Sequence, residues 1–140
     1  MRWRHVIINT RCSWLHGDER GFRSRKHRIH SSGDYKNPPP AREHEGLRKY
    51  HRERSGIPVT IGRDVREIVI RELAGKLREL GYLVVAVSVN GRHLHALVEL
   101  PNDMGQIRQI VGKCKQRASH AVRDVMPGSI WAAGGRVQAH

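Results

Sequence analysis

A predicted β-hairpin in the second half of the chain constrains the fold more than any other feature. Residues 82–89 are rich in β-branched side chains, and residues 92–100 form a second strand-like run that ends at Pro101. The dipeptide Asn90-Gly91 between them is typical of a two-residue type I′ turn. That turn predicts three cross-strand pairs, which are Val89 with Arg92, Ser88 with His93 and Ala86 with His95.

Two amphipathic helices are predicted, one on either side of the hairpin. Residues 63–80 carry one apolar stripe and are followed by Gly81, a common residue type just after a helix. A second helix begins after Asn102 or Asp103, which can cap it, and ends at Pro127-Gly128. The predicted buried residues of the first helix are Val65, Ile68, Val69, Leu73, Leu77 and Leu80. Those of the second are Met104, Ile107, Ile110, Val111, Cys114, Ala118, Ala121, Val122 and Val125.

Two more strands complete the predicted order of elements. Residues 3–10 contain the β-branched run Val6-Ile7-Ile8, and residues 129–133 indicate the start of a last strand. The order β-α-β-β-α-β favours an α+β fold of the ferredoxin-like kind, with one antiparallel sheet and both helices on the same face. At 140 residues we expect a single domain spanning 1–140.

A basic, loop-rich insertion is predicted at 11–61, between the first strand and the first helix. It is rich in glycine, proline, arginine and histidine, and it has no clear periodicity. The chain carries 26 Lys+Arg against 13 Asp+Glu, a formal net charge of +13, so we expect a polyanionic partner, nucleic acid above all. The predicted phosphate-binding cluster of the insertion is Arg20, Arg23, Arg25, Lys26 and Arg28.

The chain has no long apolar run and only two cysteines, Cys12 and Cys114. The apolar runs are too short for a bilayer span or a signal sequence, which predicts a cytoplasmic protein without a membrane partner. Two distant cysteines allow neither a disulfide framework nor a four-cysteine zinc site. Because Cys114 lies on the apolar stripe of the second helix, we expect it to be a buried free thiol.

The sequence His93-Leu94-His95 is the strongest functional signal. Residues two apart on a strand point to the same side of a sheet, and the predicted register puts both imidazoles on the face away from the helices. Two imidazoles in that arrangement suit a divalent metal ion. In a chain with ten histidines, two polar histidines without a ligand are an equally valid interpretation. Further ligands could come from Glu99, Gln106, Gln109 or Gln116, and the sequence does not choose among them.

Several stretches together resemble a known family. The strand that bears His93-Leu94-His95, within 92–98, resembles the histidine-hydrophobe-histidine strand of the small single-tyrosine transposases, including the REP-associated tyrosine transposases. Residues 3–7 resemble the first strand of that family, residues 110–119 the helix after the motif, and residues 130–135 the tryptophan-bearing strand that follows. The stretch 14–21 and the long insertion are similar to a subgroup of the family.

The resemblance implies an HUH endonuclease with a ferredoxin-like core that acts, usually as a homodimer, on single-stranded DNA with hairpin ends. By position, His93 and His95 would hold Mg²⁺ or Mn²⁺. In the family, a tyrosine on a helix after the last strand attacks the phosphodiester bond and becomes linked to the 5′-phosphate. Here Tyr35, Tyr50 and Tyr82 all precede the histidine pair, so we expect a transposase that is truncated before its catalytic tyrosine or has decayed, and we assign no nucleophile.

Two other functions stay open at the level of sequence. A non-catalytic nucleic-acid-binding module could use the same sheet face with cationic groups on phosphates, although aromatic residues, at 5% of the chain, are scarce for base stacking. A small structural protein, for instance one bound to the ribosome, would explain the basic insertion and leave the histidine pair without a role. Metal dependence separates the transposase hypothesis from both alternatives.

Overall fold

The protein has four β-strands and three α-helices among residues 1–13, 40 and 42–139, which the computed structural model describes apart from the side chains of Arg54 and Ser55. In chain order the elements are β1 (Arg2–Asn9), α1 (Glu45–Ser55), α2 (Arg63–Glu79), β2 (Val84–Val89), β3 (His93–Leu100), α3 (Met104–Ala121) and β4 (Arg136–Ala139). This composition confirms the predicted α+β class. None of the helices in the described part is long and apolar enough to cross a membrane.

The chain divides into two compact units. One unit comprises Met1–Arg11 with Val59–His140 and contains the whole sheet together with α2 and α3. The other, Cys12–Pro58, contains α1 and covers most of the predicted insertion at 11–61. α1 is followed by Gly56, whose φ of 86° lies in the left-handed region that ends many helices.

All four strands form one antiparallel sheet in the order β2-β3-β1-β4. The central strands β1 and β3 pair from Arg2 opposite Leu100 to Asn9 opposite His93. Both α2 and α3 pack on one face of this sheet, where their apolar stripes meet alternate residues of the two central strands. The sheet residues in that core are Val6, Ile8, Leu94, Ala96, Val98 and Leu100. The helix residues are Val65, Val69, Leu73, Leu77, Ile107, Ile110, Val111, Cys114 and Ala118.

The predicted ends of the two long helices are confirmed in part. Gly81 follows α2 with a φ of 90°, and the side chain of Asp103 caps α3 by accepting a hydrogen bond from the Gln106 N–H at 2.7 Å. α3 ends at Ala121, earlier than predicted, so Val125 lies beyond the regular stripe and is 61% exposed. The predicted burial is therefore wrong for four residues at stripe edges and helix ends, which are Ile68, Met104, Ala121 and Val125.

Cys114 is the buried free thiol that the sequence predicts. Its side chain is 2% exposed and packs on α3 against the sheet. Burial raises the pKa of this thiol to about 11, because the low-dielectric core disfavours the thiolate. Cys114 is therefore a packing residue, since the thiol stays protonated and unreactive at neutral pH.

The turn between β2 and β3 differs from the predicted type I′ turn. The Asn90 N–H donates to the His93 carbonyl, so Gly91 and Arg92 are the central residues. Neither these two residues nor Asn90 has the positive φ that the central residues of a type I′ turn require. Instead, Asn90 Oδ1 accepts hydrogen bonds from the N–H groups of Arg92 at 2.9 Å and His93 at 2.8 Å. This side-chain bonding to the backbone replaces the expected turn.

The register of the hairpin is shifted by two residues from the predicted one. Val89 lies opposite Leu94 instead of Arg92, and Ser88 lies opposite His95 instead of His93. A shift of two keeps every side chain on its predicted face, because side chains alternate along a strand with period 2. The predicted pairs were therefore wrong while the predicted face of the histidines was right.

A β-bulge at Val85 changes the first half of β2. Val84 pairs with Val98 and Ala86 with Leu97, so Val85 is the extra residue. Val84 thereby packs against the core, while Leu83 and Val85 are 63% and 64% exposed. The prediction that residues 83, 85, 87 and 89 all pack on the helices was right only for the last two.

The last strand begins later than the predicted 129–133. Trp131 forms only an isolated bridge with Thr10, and the regular strand starts at Arg136. In between, the Lys115 Nζ atom donates to the carbonyls of Ala132, at 3.0 Å, and Gly134. These bonds hold a turn in the chain, and the φ of 74° at Gly134 favours glycine at that position.

Candidate metal centre

One face of the sheet points away from α2 and α3, and we call it the histidine face. It is formed by the residues that alternate with the core residues of β1, β3 and β4. Its aromatic and polar members are Trp3, His5, Asn9, His93, His95, Glu99, Arg136 and Gln138.

His93 and His95 both stand on this face, at the beginning of the central strand β3. Leu94 between them is fully buried in the core, whereas the two imidazoles are half-buried. Their ring centres lie 6.4 Å apart with a 45° tilt. The sequence prediction of two neighbouring imidazoles on the face away from the helices is confirmed, and the site occupies one of the two strands that are paired on both sides.

A third histidine, His5, joins this pair from β1. The His5 Nε2 atom lies 2.9 Å from the His95 Nδ1 atom, a hydrogen-bond distance. His5 is opposite Leu97 in the sheet, two residue pairs along from Ile7, which is opposite His95. Sequence reasoning missed His5. The alternation of Trp3, His5 and Ile7 with buried Val6 and Ile8 was a signal for its face, but only the long-range pairing of β1 with β3 puts it beside His95.

The Nε2 atom of His95 is the ring nitrogen that faces no hydrogen-bond partner among the described residues. Within the described residues the only hydrogen bond of His95 is the one through Nδ1, which leaves Nε2 without a partner there. Asn9 lies opposite His93 on the same face and adds an amide group to this corner of the sheet. Among the described residues no cluster of three histidine, cysteine or acidic side chains could hold a metal ion. The imidazoles of His93 and His95 are the two ligands that the described part of the chain offers at this position.

The glutamines offered by the sequence as further ligands do not lie near the histidines. Gln106, Gln109 and Gln116 are exposed residues of α3, and this helix packs on the other face of the sheet. Glu99 does stand on the histidine face, opposite Trp3. It lies four residues from His95 along the strand, roughly 13 Å at the rise of a β-strand. None of these four side chains completes the site in this arrangement.

Arg136 brings a cation to the same face. It is opposite Ile7, which in turn is opposite His95, so two strand spacings of roughly 5 Å each separate Arg136 from His95. In the amide orientation that satisfies both groups, the Gln138 side-chain oxygen accepts from Arg136 Nε at 3.1 Å and from Nη2 at 3.0 Å. These bonds orient the guanidinium group at the first residue of β4.

The chain before Arg136 is tied to the end of α3. The Lys115 ammonium donates to the carbonyls of Ala132 and Gly134, and the Trp131 indole N–H donates to the Lys115 carbonyl at 3.0 Å. Partial burial lowers the pKa of Lys115, because leaving water disfavours the charged amine. Lys115 is thus a structural residue that fixes where β4 begins.

The predicted basic cluster and one of the three tyrosines lie outside the described residues. These are Arg20, Arg23, Arg25, Lys26 and Arg28, together with Tyr35. Of the two described tyrosines, Tyr82 packs against the core, as predicted. Tyr50 belongs to α1, where it is 50% exposed and contacts the ring of His51.

The chain matches no model of a known protein family, and no curated protein matches it. The histidine face is therefore the basis for any functional assignment.

Proposed function

We propose that this protein is a transposase-like HUH protein that binds single-stranded hairpin DNA and a divalent metal ion, Mg²⁺ or Mn²⁺, through His93 and His95. The observation that carries the proposal is the pair of half-buried imidazoles on a central strand, with a third imidazole bonded to one of them. A hydrogen bond that a ligating histidine donates, through its other ring nitrogen, to an outer group is a common feature of protein metal sites.

The proposal includes the ferredoxin-like arrangement of the sheet. The elements of the first unit follow one another as β1-α2-β2-β3-α3-β4, which is the predicted order of strands and helices. The strand order β2-β3-β1-β4 with antiparallel neighbours is compatible with two interleaved β-α-β halves, because β1 and β2 flank β3 and run parallel to each other.

The residues present fit a divalent ion. Imidazole nitrogens suit transition-metal ions, and water or a DNA phosphate oxygen would occupy the remaining positions. When bound, the ion would polarise a phosphate oxygen and stabilise negative charge there. The protein's own contribution is to hold His93 and His95 on a rigid strand, so that their nitrogens need little reorganisation when the ion binds.

Arg136 supplies the proposed contact to the DNA backbone. Its guanidinium group is fixed by Gln138 on the histidine face, two strands from His95. Arginine binds phosphate through parallel N–H donors, and such contacts position a strand without reading its sequence. The excess of 13 positive charges favours the approach of any polyanion and adds no sequence preference.

A second candidate function is a non-catalytic nucleic-acid-binding module. The observation that favours it is that no described tyrosine stands on the histidine face, since Tyr82 packs against the core and Tyr50 lies on α1. Such a module would bind the same DNA or RNA backbone with the same cations. It would form no covalent link, and its affinity would not depend on a metal ion.

A gel assay distinguishes these functions. The protein is incubated with a labelled pool of single-stranded hairpin oligonucleotides and Mn²⁺, then analysed on native and denaturing gels beside His93→Ala. The control is His120→Ala, which removes an exposed histidine of α3. We expect Mn²⁺-dependent binding of hairpins that only His93→Ala loses, and a denaturation-resistant band would identify an active nuclease. Equal binding of duplex DNA, with no effect of Mn²⁺ or of His93→Ala, would overturn the proposal.

A further inference from the structure

We infer that His5 is a positioning residue of the metal site, which holds His95 in the tautomer that leaves Nε2 as its metal-binding nitrogen. The inference rests on the proposed function, because it assigns a role to His5 only if His95 binds a metal ion. It concerns a residue that touches His95 and is not itself a ligand.

The geometry of the two rings is that of a direct hydrogen bond. The ring centres of His5 and His95 are 5.2 Å apart, while the His5 Nε2 and His95 Nδ1 atoms are 2.9 Å apart. The distance between the ring centres exceeds the distance between the nitrogens by about one ring radius for each of the two rings. The two nitrogens therefore point at each other. Because the two nitrogens lie near the line between the ring centres, the bond lies close to both ring planes, which are tilted by 27° to each other.

This contact excludes an ion from the space between the two nitrogens. A metal ion on the line between them would need about 4 Å, since metal–imidazole bonds are about 2.0–2.1 Å long. The observed 2.9 Å fits a shared proton. His5 thus acts on the metal through His95, and the metal-binding atom of His95 is the other ring nitrogen, Nε2.

The positions of the protons on the two rings then determine the direction of the hydrogen bond. A neutral imidazole carries one N–H, and a ligating nitrogen must use its lone pair. If Nε2 of His95 binds the ion, Nδ1 carries the proton and donates to Nε2 of His5, which accepts. His5 then carries its own proton on Nδ1. The pair of histidines neither gains nor loses a proton. Of its two hydrogen-bonded tautomers, only the one in which His95 donates leaves the Nε2 lone pair of His95 available for the metal ion.

The sheet makes this arrangement stable. β1 and β3 pair along eight consecutive residues, and both are paired on their other sides by β4 and β2. His5 lies on β1 two residues from Ile7, the residue opposite His95, so the strand pairing sets the distance between the rings. Outer groups that orient ligating histidines typically contribute 10–100-fold to metal affinity.

Titrations of the full chain with Mn²⁺, followed by the loss of the free-ion EPR signal, test the inference. His5→Phe keeps an aromatic ring and removes the acceptor, whereas His5→Gln keeps an acceptor oxygen; His120→Ala is the control. We expect 10–100-fold weaker binding for His5→Phe and a smaller loss for His5→Gln, with thermal melts confirming that each variant folds. Binding by folded His5→Phe within twofold of wild type would overturn the inference.

Nitrogen-15 NMR of the metal-free protein separates this inference from the proposed function. At a pH where the imidazoles are neutral, we expect the His95 proton on Nδ1 in wild type and mostly on Nε2 in His5→Phe, the usual solution preference of a free imidazole. A proton on Nε2 of His95 in wild type would overturn the role of His5 alone. Failure of wild type to bind Mn²⁺ would overturn the proposed function, and the role of His5 with it.

Discussion

Leu94 and His95 are neighbours on β3 that point to opposite faces of the sheet. Leu94 is fully buried among the residues that pack under α2 and α3, and His95 stands on the histidine face bonded to His5. The candidate site thus lies directly on top of the hydrophobic core. Its side chains are held by the packing beneath them and by the strands on both sides.

Truncating the residue under the site should cost stability. For Leu94→Ala we expect a loss of about 2–5 kcal/mol in the free energy of unfolding, because a fully buried leucine leaves a cavity that the sheet cannot fill. Urea unfolding measures this loss. The matched control is Leu83→Ala, whose side chain is 63% exposed and should change stability by less than about 1 kcal/mol. Similar losses in both variants would contradict the core described here.

Removing the positive charge of Arg136 on β4 should weaken DNA binding without changing the affinity for the metal ion. Arg136→Gln keeps a polar side chain on the histidine face and removes the charge. We expect weaker binding of single-stranded DNA for all sequences alike, and a slope of log affinity against log salt that is smaller by about 1. Fluorescence anisotropy at several salt concentrations gives both quantities.

The control for Arg136 is Arg108→Gln, which removes the same charge from an exposed position of α3, in the helix layer. We expect little change in the salt slope for this variant. Equal effects of the two substitutions would mean that net charge, and not the histidine face, determines DNA affinity.

An ion pair between α2 and α3 should make part of the stability depend on pH. The Arg117 guanidinium beside Glu79 lowers the pKa of that carboxyl below its ordinary 4.5, and Lys76 adds to the effect. A lowered pKa in the folded state contributes stability above pH 4.5, which is lost as the pH falls through the folded value. We therefore expect the stability difference between wild type and Glu79→Gln to shrink as the pH falls below 4.5.

Urea unfolding between pH 7 and pH 3 measures that difference. Glu72→Gln is the control, because Glu72 lies on the same helix and has no ion pair among the described residues. The effect should be small and weakened by salt, since Glu79 is exposed. A constant difference between wild type and Glu79→Gln across this range would show that the ion pair does not act through the charge of Glu79.

The amino-acid sequence predicted the parts of the fold that depend on local periodicity. Which residues can be buried determines the apolar stripes of α2 and α3 and the alternation along β3. The two helices and the face of His93 and His95 were therefore predicted correctly. The exact pairs of the hairpin did not, because Asn90 bonds to the backbone through its side chain and Val85 forms a bulge. Neither effect has a periodic signature.

The rest of the site depends on contacts between residues far apart in the chain. His5 reaches His95 only because β1 pairs with β3, a register that no local pattern encodes. The position of Arg136 depends on Lys115, which holds the preceding turn and delays the start of β4. Long-range pairing and a single side-chain clamp therefore determine two of the four residues on which the functional argument depends.

A direct Mn²⁺ titration of wild type, His93→Ala and His95→Ala tests the central claim. We predict one bound ion per chain in wild type and in the His120→Ala control, and loss of that site in both β3 variants with little change in melting temperature. The imidazoles contribute little to the core, so the fold should survive their removal. Unchanged Mn²⁺ affinity in folded His93→Ala would contradict a metal centre at this strand, and with it the proposed transposase-like function.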